Sequence, residues 1–200
     1  MNVVIIKYNA GNVQSVQFAL QRLGVNAKLS DHHEEINAAD KVIFPGVGNA
    51  FSAMESLKEN QLDRLIPQLT QPVLGICVGM QLLCNRSEEN NTKGLGIIPL
   101  DVRKLPGMQK EFKIPQVGWN TIEQLSSPLF KGIKEESFVY YVHSYYVESG
   151  KETIATTNYI LPYSAAIQKD NFYGVQFHAE KSAQTGELIL GNFLKLNTCK

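Results

Sequence analysis

Cysteine is scarce. Three occur in 200 residues, an odd number with no C-x-x-C spacing, which argues against a disulfide framework or a structural zinc site. No apolar run approaches the roughly 18 residues of a membrane span, and the best candidate, Pro72–Met80, is interrupted by Gly75 and Gly79. Neither sign of charge dominates: nineteen basic and nineteen acidic residues cancel, and neither half departs from neutrality by more than one charge. No face for nucleic acid or anionic lipid is therefore expected. Met1 to Lys7 lack the basic segment and long apolar core of a signal peptide, so a cytoplasmic protein is the expectation. Internal repeats, low-complexity tracts and linkers are absent as well.

What the chain does have is a globular composition, 44% hydrophobic and 19% charged, at a length that fits one domain spanning residues 1–200. Strand-like segments Asn2–Tyr8, Val25–Leu29, Lys41–Phe44 and Val73–Cys77 alternate with helical spacing. Val13, Val16, Leu20 and Leu23 give one helix, with Asn12 as its N-cap and Gly24 as its stop; Ala50 to Leu69 gives a second, and Met80 to Cys84 a third. Such alternation predicts an α/β fold with an open, mostly parallel central sheet flanked by helices. Beyond Gly94 the sequence is strand-rich, with Gly96–Val102, Gly118–Ile122, Phe138–Val147, Thr153–Thr157, Ala165–Gln168 and Tyr173–His178, so this half is expected to add mixed or antiparallel strands. A closing helix over Thr185–Leu196 would be capped by Thr185 and would bury Leu188, Ile189, Phe193 and Leu196.

Chemistry concentrates in three places. Gly75-Ile76-Cys77-Val78-Gly79 is a G-x-C-x-G at a strand-to-helix switch, the form of a nucleophile elbow. A sharp turn there thrusts the side chain out at the carboxyl edge of the sheet, where ligands bind. The following helix would favour thiolate, and the Val78 N–H would point where an oxyanion forms. Alone, this pattern stands level with a buried core cysteine. Gln176-Phe177-His178-Ala179-Glu180-Lys181 tips the balance: two apart in an extended chain, His178 and Glu180 share a face, so the carboxylate can orient the imidazole and the imidazole can serve Cys77. Pro45-Gly46-Val47-Gly48, at the end of another predicted strand, could lie beside the elbow and supply the second oxyanion donor, although in isolation it reads as an ordinary turn.

Other candidates read as structure. Cys84 is expected in the core and Cys199 in a tail; His32 and His33 read as surface; His143 sits in an aromatic run that either pairs in a strand or lines a pocket. Cys77, His178 and Glu180 are zinc-ligand types, but nothing else supports a metal.

Taken together, the elbow, the P-G-x-G turn and the late H-x-E resemble the class I, triad-type glutamine amidotransferases over essentially the whole chain. Within that family, Tyr8-Asn9-Ala10-Gly11-Asn12, the P-G-V-G turn, Met80, Ile114 to Asn120 and Val142-His143-Ser144-Tyr145 resemble the glutaminase subunits of imidazole glycerol phosphate synthases. The resemblance implies hydrolysis of glutamine to glutamate and ammonia without a cofactor. It further implies delivery of the ammonia through a channel to a partner (βα)8-barrel cyclase, which acts on a phosphoribulosyl nucleotide in histidine biosynthesis. It makes Cys77 the nucleophile, His178 the base and Glu180 its orienter, with Gly46, Val47, Gly48 and Val78 supplying backbone donors. Gln81, Glu89, Ser144 and Tyr145 would surround glutamine, and Asn12, Trp119, Tyr140 and Lys181 would face the cyclase. It also implies a glycine turn whose N–H is turned away until the partner is loaded. One departure is Ala179, where the family usually has proline, which leaves the orientation of Glu180 open. The competing readings are a stand-alone cysteine hydrolase, a glutaminase serving a sugar-amidating enzyme, and a non-catalytic scaffold; an intact triad counts against the last.

Overall fold

A computed structural model describes residues 1–8, 11–107 and 112–197; Asn9, Ala10 and Cys199 lie outside the described residues. The chain runs β1 (Val3–Ile6), α1 (Val13–Arg22), β2 (Lys28–Ser30), α2 (His33–Asn37), β3 (Lys41–Phe44), α3 (Ala50–Glu59), α4 (Leu62–Leu65), β4 (Val73–Ile76) and α5 (Val78–Leu83). It continues through β5 (Cys84–Ser87), β6 (Thr92–Lys93), β7 (Ile98–Lys104), β8 (Gln116–Ile122), β9 (Ser137–His143), β10 (Tyr145–Val147), β11 (Thr153–Asn158), β12 (Pro162–Lys169), β13 (Phe172–Val175) and α6 (Ala183–Lys195). One sheet has the order β2-β1-β3-β4-β13-β12-β10-β7-β5-β6, with β11 on β12. From β2 to β13 all neighbours are parallel; from β13 onward antiparallel pairing prevails, apart from β5 with β7.

The inner strands of the parallel block are the most deeply buried. Every residue of β1, β3, β4 and β13 is buried, as expected of strands covered on both faces. α3 packs against α4 and α5, while α1 and α6 both rest on the short turn Ala179–Lys181. Strands β8 and β9 form a separate antiparallel pair whose inner face drives Tyr141 edge-on against Phe177, with ring centroids 5.9 Å apart. That packing holds the hairpin over the ends of β4 and β13.

Several local expectations change. Asn12 does not cap α1: its backbone is left-handed at φ 68°, and its side chain makes no cap bond. The segment from Ala50 is two helices, broken where Gln61 turns left-handed at φ 55°, and its N-cap is Asn49, which accepts from the N–H groups of Phe51 and Ser52. Cys84 is buried as expected, but as the first residue of β5 rather than on a helix. α6 starts earlier, after Ser182, and Leu188 is 43% exposed because the buried face is Gly186, Ile189, Leu190 and Phe193. The strand expected over Phe138–Val147 divides at Ser144 into β9 and β10, which pair in different sheets.

Candidate active site

Cys77, between β4 and α5, has a strained conformation, φ 53° and ψ −111°, which costs about 1–3 kcal/mol and persists only where the surroundings enforce it. They do so by close backbone packing. A methyl group on Gly79 would stand 1.9 Å from the Phe44 carbonyl oxygen, and one on Gly46 would stand 2.5 Å from the Gly79 nitrogen. The two glycine segments therefore lock together, and the P-G-V-G turn lies against the elbow. The Cys77 N–H donates to Val175 O at 2.8 Å, tying the elbow to β13 as well.

His178 follows the end of β13, its own N–H donating to Tyr140 O at 2.9 Å. Its partner is Glu180, reached not by an extended pair of residues but by the single 3-10 turn Ala179–Lys181. Nδ1 of His178 lies 2.8 Å from Glu180 Oε1, and the two side chains are 4% and 1% exposed. The same oxygen accepts from Asn12 Nδ2, while Glu180 Oε2 is buried without a partner among the described residues. Burial opposes a charged imidazole, yet the hydrogen bonds to Cys77 and Glu180 outweigh it and raise His178 to about 10. At neutral pH the imidazole is thus held protonated, in contact with the nucleophile and oriented by the carboxylate.

A cavity of about 340 Å³ opens over the sulfur and includes Val47, Gly48, Val78, Gln81, Glu89, Ser144, Tyr145, His178 and Lys181 in its wall. Gln81 donates its amide to Tyr145 O and to Gln176 Oε1, both at 3.0 Å. Glu89 accepts the Ala50 N–H at 2.7 Å, so it caps the helix that leaves the P-G-V-G turn. His143 lines the wall and is buried in a strand at once, its Nδ1 2.8 Å from Tyr145 O; burial pushes it down to about 4 and keeps it neutral. In this structure the Val78 N–H of the elbow is engaged: it donates to Gly46 O at 3.3 Å.

Five sequence-derived residues stand outside the cavity wall: Gly46 and Glu180, which lie just behind it, and Asn12, Trp119 and Tyr140. Asn12 sits behind it on Glu180. Trp119 and Tyr140 pair across β8 and β9, rings edge-on at 5.7 Å, with Trp119 52% exposed. Trp119 belongs to a ladder of exposed apolar side chains on one face of the hairpin, with Val117, Phe138 and Val142, and the half-buried Tyr140 lies among them, a kind of patch that marks an interaction surface.

The class-I glutamine amidotransferase model matches residues 4–196. Across 98% of its length the chain is 56% identical to the imidazole glycerol phosphate synthase subunit HisH of Bacteroides fragilis strain YCH46, covering all of that protein. It is 45% identical to the Haemophilus influenzae Rd subunit of the same name, covering 98% of each. The chain belongs to the class I glutamine amidotransferases, among the HisH subunits. Among solved structures, a glutamine amidotransferase of Thermotoga maritima superposes with a TM-score of 0.69 at 16% identity, covering 98% of this chain and 96% of that one, and so shares the fold.

In this HisH-type amidotransferase, reading the sequence missed Gln176. It is fully buried, with Nε2 3.7 Å from Cys77 Sγ. A signal existed: like Glu180, Gln176 is two residues from His178, but its approach to the sulfur comes from the pairing of β13 with β4, which no local pattern encodes.

Proposed function

We propose that the chain is the glutaminase subunit of an imidazole glycerol phosphate synthase. It hydrolyses glutamine through a thioester on Cys77 and passes ammonia to a cyclase partner in histidine biosynthesis. The observation that carries this reading is Cys77 and His178 lining a cavity of amino-acid size, with Glu180 behind them on His178 Nδ1, in a chain 56% identical to HisH over 98% of its length. The sulfur attacks the side-chain carboxamide carbon of glutamine. As the tetrahedral intermediate collapses, the C–N bond breaks and His178 delivers its proton to the departing ammonia. Water then attacks the thioester, giving up a proton to His178; the C–S bond breaks and glutamate leaves. Gln81, Glu89, Ser144 and Tyr145 hold the amino-acid end of the substrate.

Gly46 O on the Val78 N–H supports a low resting rate, since that donor must be released before it can stabilise an oxyanion. Each such donor contributes roughly 3–4 kcal/mol to lowering the barrier. The partner surface is the exposed ladder around Trp119 and Tyr140, with Asn12 and Lys181 beside the triad. The test is ammonia and glutamate release from glutamine by the purified chain, alone and with the candidate cyclase plus its nucleotide substrate. Strong activation by the loaded partner is expected. Equal turnover without a partner would favour a stand-alone hydrolase, and activation by a sugar-amidating enzyme instead would move the acceptor.

A further inference from the structure

We propose that Gln176 is a further catalytic residue of this site, whose amide N–H donates to the Cys77 sulfur and whose carbonyl oxygen ties that donor to the substrate-facing Gln81. The inference rests on the glutaminase reading above. The direction of every amide in this chain is fixed from one end. Tyr145 O is a backbone carbonyl and can only accept, so Gln81 must present its nitrogen to it at 3.0 Å. That same nitrogen reaches Gln176 Oε1 at 3.0 Å, which leaves Gln176 Nε2 facing Cys77 Sγ at 3.7 Å. Flipping either amide would set two donors or two acceptors against each other.

Gln176 is 0% exposed, and among the described residues its amide nitrogen has the sulfur as its partner. A neutral thiol is a weak acceptor, whereas a thiolate accepts well. A buried amide N–H aimed at sulfur is therefore well satisfied only when the sulfur carries charge, and this favours the nucleophilic form. Gln81 has spent both amide hydrogens, so its Oε1 remains for a substrate N–H in the cavity it lines. Occupation of the cavity and the state of the nucleophile thus share one rigid chain of hydrogen bonds.

The test compares wild type with Gln176→Glu, which can still accept from Gln81 but turns a second acceptor toward the sulfur, and Gln176→Leu, which removes both contacts. Iodoacetamide labelling of the Cys77 peptide is followed by mass spectrometry across pH in the full chain, and glutaminase kinetics are measured in the complex with the cyclase. The other titratable groups around the sulfur and its cavity are His178, Tyr8, His143, Glu89, Tyr145 and Lys181. They are common to all three proteins; Gln176→Leu adds no titratable group, so its profile reports on the lost contact directly, and Gln176→Glu adds only its own carboxyl, an acceptor once ionised. In both variants the labelling midpoint is expected to rise by about one pH unit, with kcat down about tenfold or more. KM should hold within about twofold in Gln176→Glu and rise in Gln176→Leu. Unshifted labelling midpoints, or a loss confined to KM in both variants, would overturn the inference and leave Gln176 a prop for Gln81. If Gln176→Glu does not fold by circular dichroism, Gln176→Leu carries the test on the labelling midpoint alone. A wild-type complex that releases no glutamate would refute the glutaminase reading instead, while the labelling comparison would still decide the contact.

Discussion

Glu180→Gln separates two ways in which a carboxylate can serve a histidine. In serine proteases the equivalent amide swap costs about 10⁴ in rate because it selects the wrong tautomer. Here Asn12 intervenes. Glu180 Oε1 accepts from both His178 Nδ1, at 2.8 Å, and Asn12 Nδ2, so a glutamine would be turned with its oxygen toward both donors, preserving the tautomer. What is lost is charge. A charge-assisted bond becomes a neutral one, costing about 1–2 kcal/mol, and the attraction between carboxylate and imidazolium adds a similar amount, roughly 3 kcal/mol in all and about 10² in kcat. The new amide nitrogen would occupy the place of Oε2, which has no partner, costing about 1–3 kcal/mol of folding stability. The assay is glutaminase kcat at saturating cyclase, with unfolding followed in urea. Adding Asn12→Leu should release the amide and bring the total loss toward 10⁴. A single variant already at 10⁴ and insensitive to Asn12→Leu would refute the argument, and near-normal activity would mean that another group orients His178.

Cys77→Ala should abolish glutamine turnover without unfolding the chain. Cys84→Ala, at a thiol that burial pushes far up, should keep most activity and lose about 1 kcal/mol of stability; equal loss of activity in both would remove the basis for choosing Cys77. Because folding raises His178 from its ordinary 6.5 to about 10, its contribution to stability is complete below pH 6.5 and disappears as pH rises through 10. kcat/KM should fall on the alkaline side near the same value, and a loss centred near pH 6.5 would contradict the raised histidine. Trp119→Ala should weaken the complex by about 2 kcal/mol or more, or break its seal. In either case glutamine-dependent product formation should suffer far more than ammonium-dependent formation, and unchanged coupling would mean that the hairpin face is not the interface.

The parts that were legible in the sequence are those that local physics settles. The apolar runs Val3–Ile6, 42–44 and Val73–Ile76 answer to strands covered on both faces, and glycines on both sides of Cys77 answer to backbone contacts that admit no side chain. What was not legible depends on partners distant in the chain. Asn12 looks like a helix cap by position, but 168 residues away Glu180 offers a buried carboxylate, and the side chain goes there instead. Val78 N–H looks free at the start of a helix until the P-G-V-G turn brings Gly46 O against it. Cys84 continues a helical register, yet β7 offers a vacant parallel edge and the chain extends to meet it. Leu188 fits an apolar stripe by spacing, but the turn at Ala179 approaches α6 so closely that only Gly186 fits there. That contact fixes which side of the helix faces inward.

The departure at Ala179 shows how the triad is held without the usual proline. Ala179 opens the turn that carries Glu180, and its N–H makes no hydrogen bond among the described residues. His178 before it is extended rather than helical, φ −83° and ψ 94°, on the low-ψ side of the region that a residue preceding proline prefers. The turn is braced elsewhere, by Lys181 N–H and Ser182 Oγ donating to His178 O at 3.0 and 2.7 Å, and by Ser182 N–H donating to Ala179 O at 3.1 Å. Ala179→Pro therefore removes no donor in use and places proline at the first position of a helical turn, where it is well tolerated, so it should stabilise the chain by about 0.4–1 kcal/mol through the unfolded state. Since Glu180 is already oriented by Asn12 and His178, kcat with the cyclase should stay within about twofold. Urea unfolding and steady-state kinetics of the one variant check both statements. Destabilisation would mean that the turn needs a freedom at position 179 that its hydrogen bonds do not reveal, and a large rise in kcat would mean that alanine leaves Glu180 poorly aligned despite its two donors.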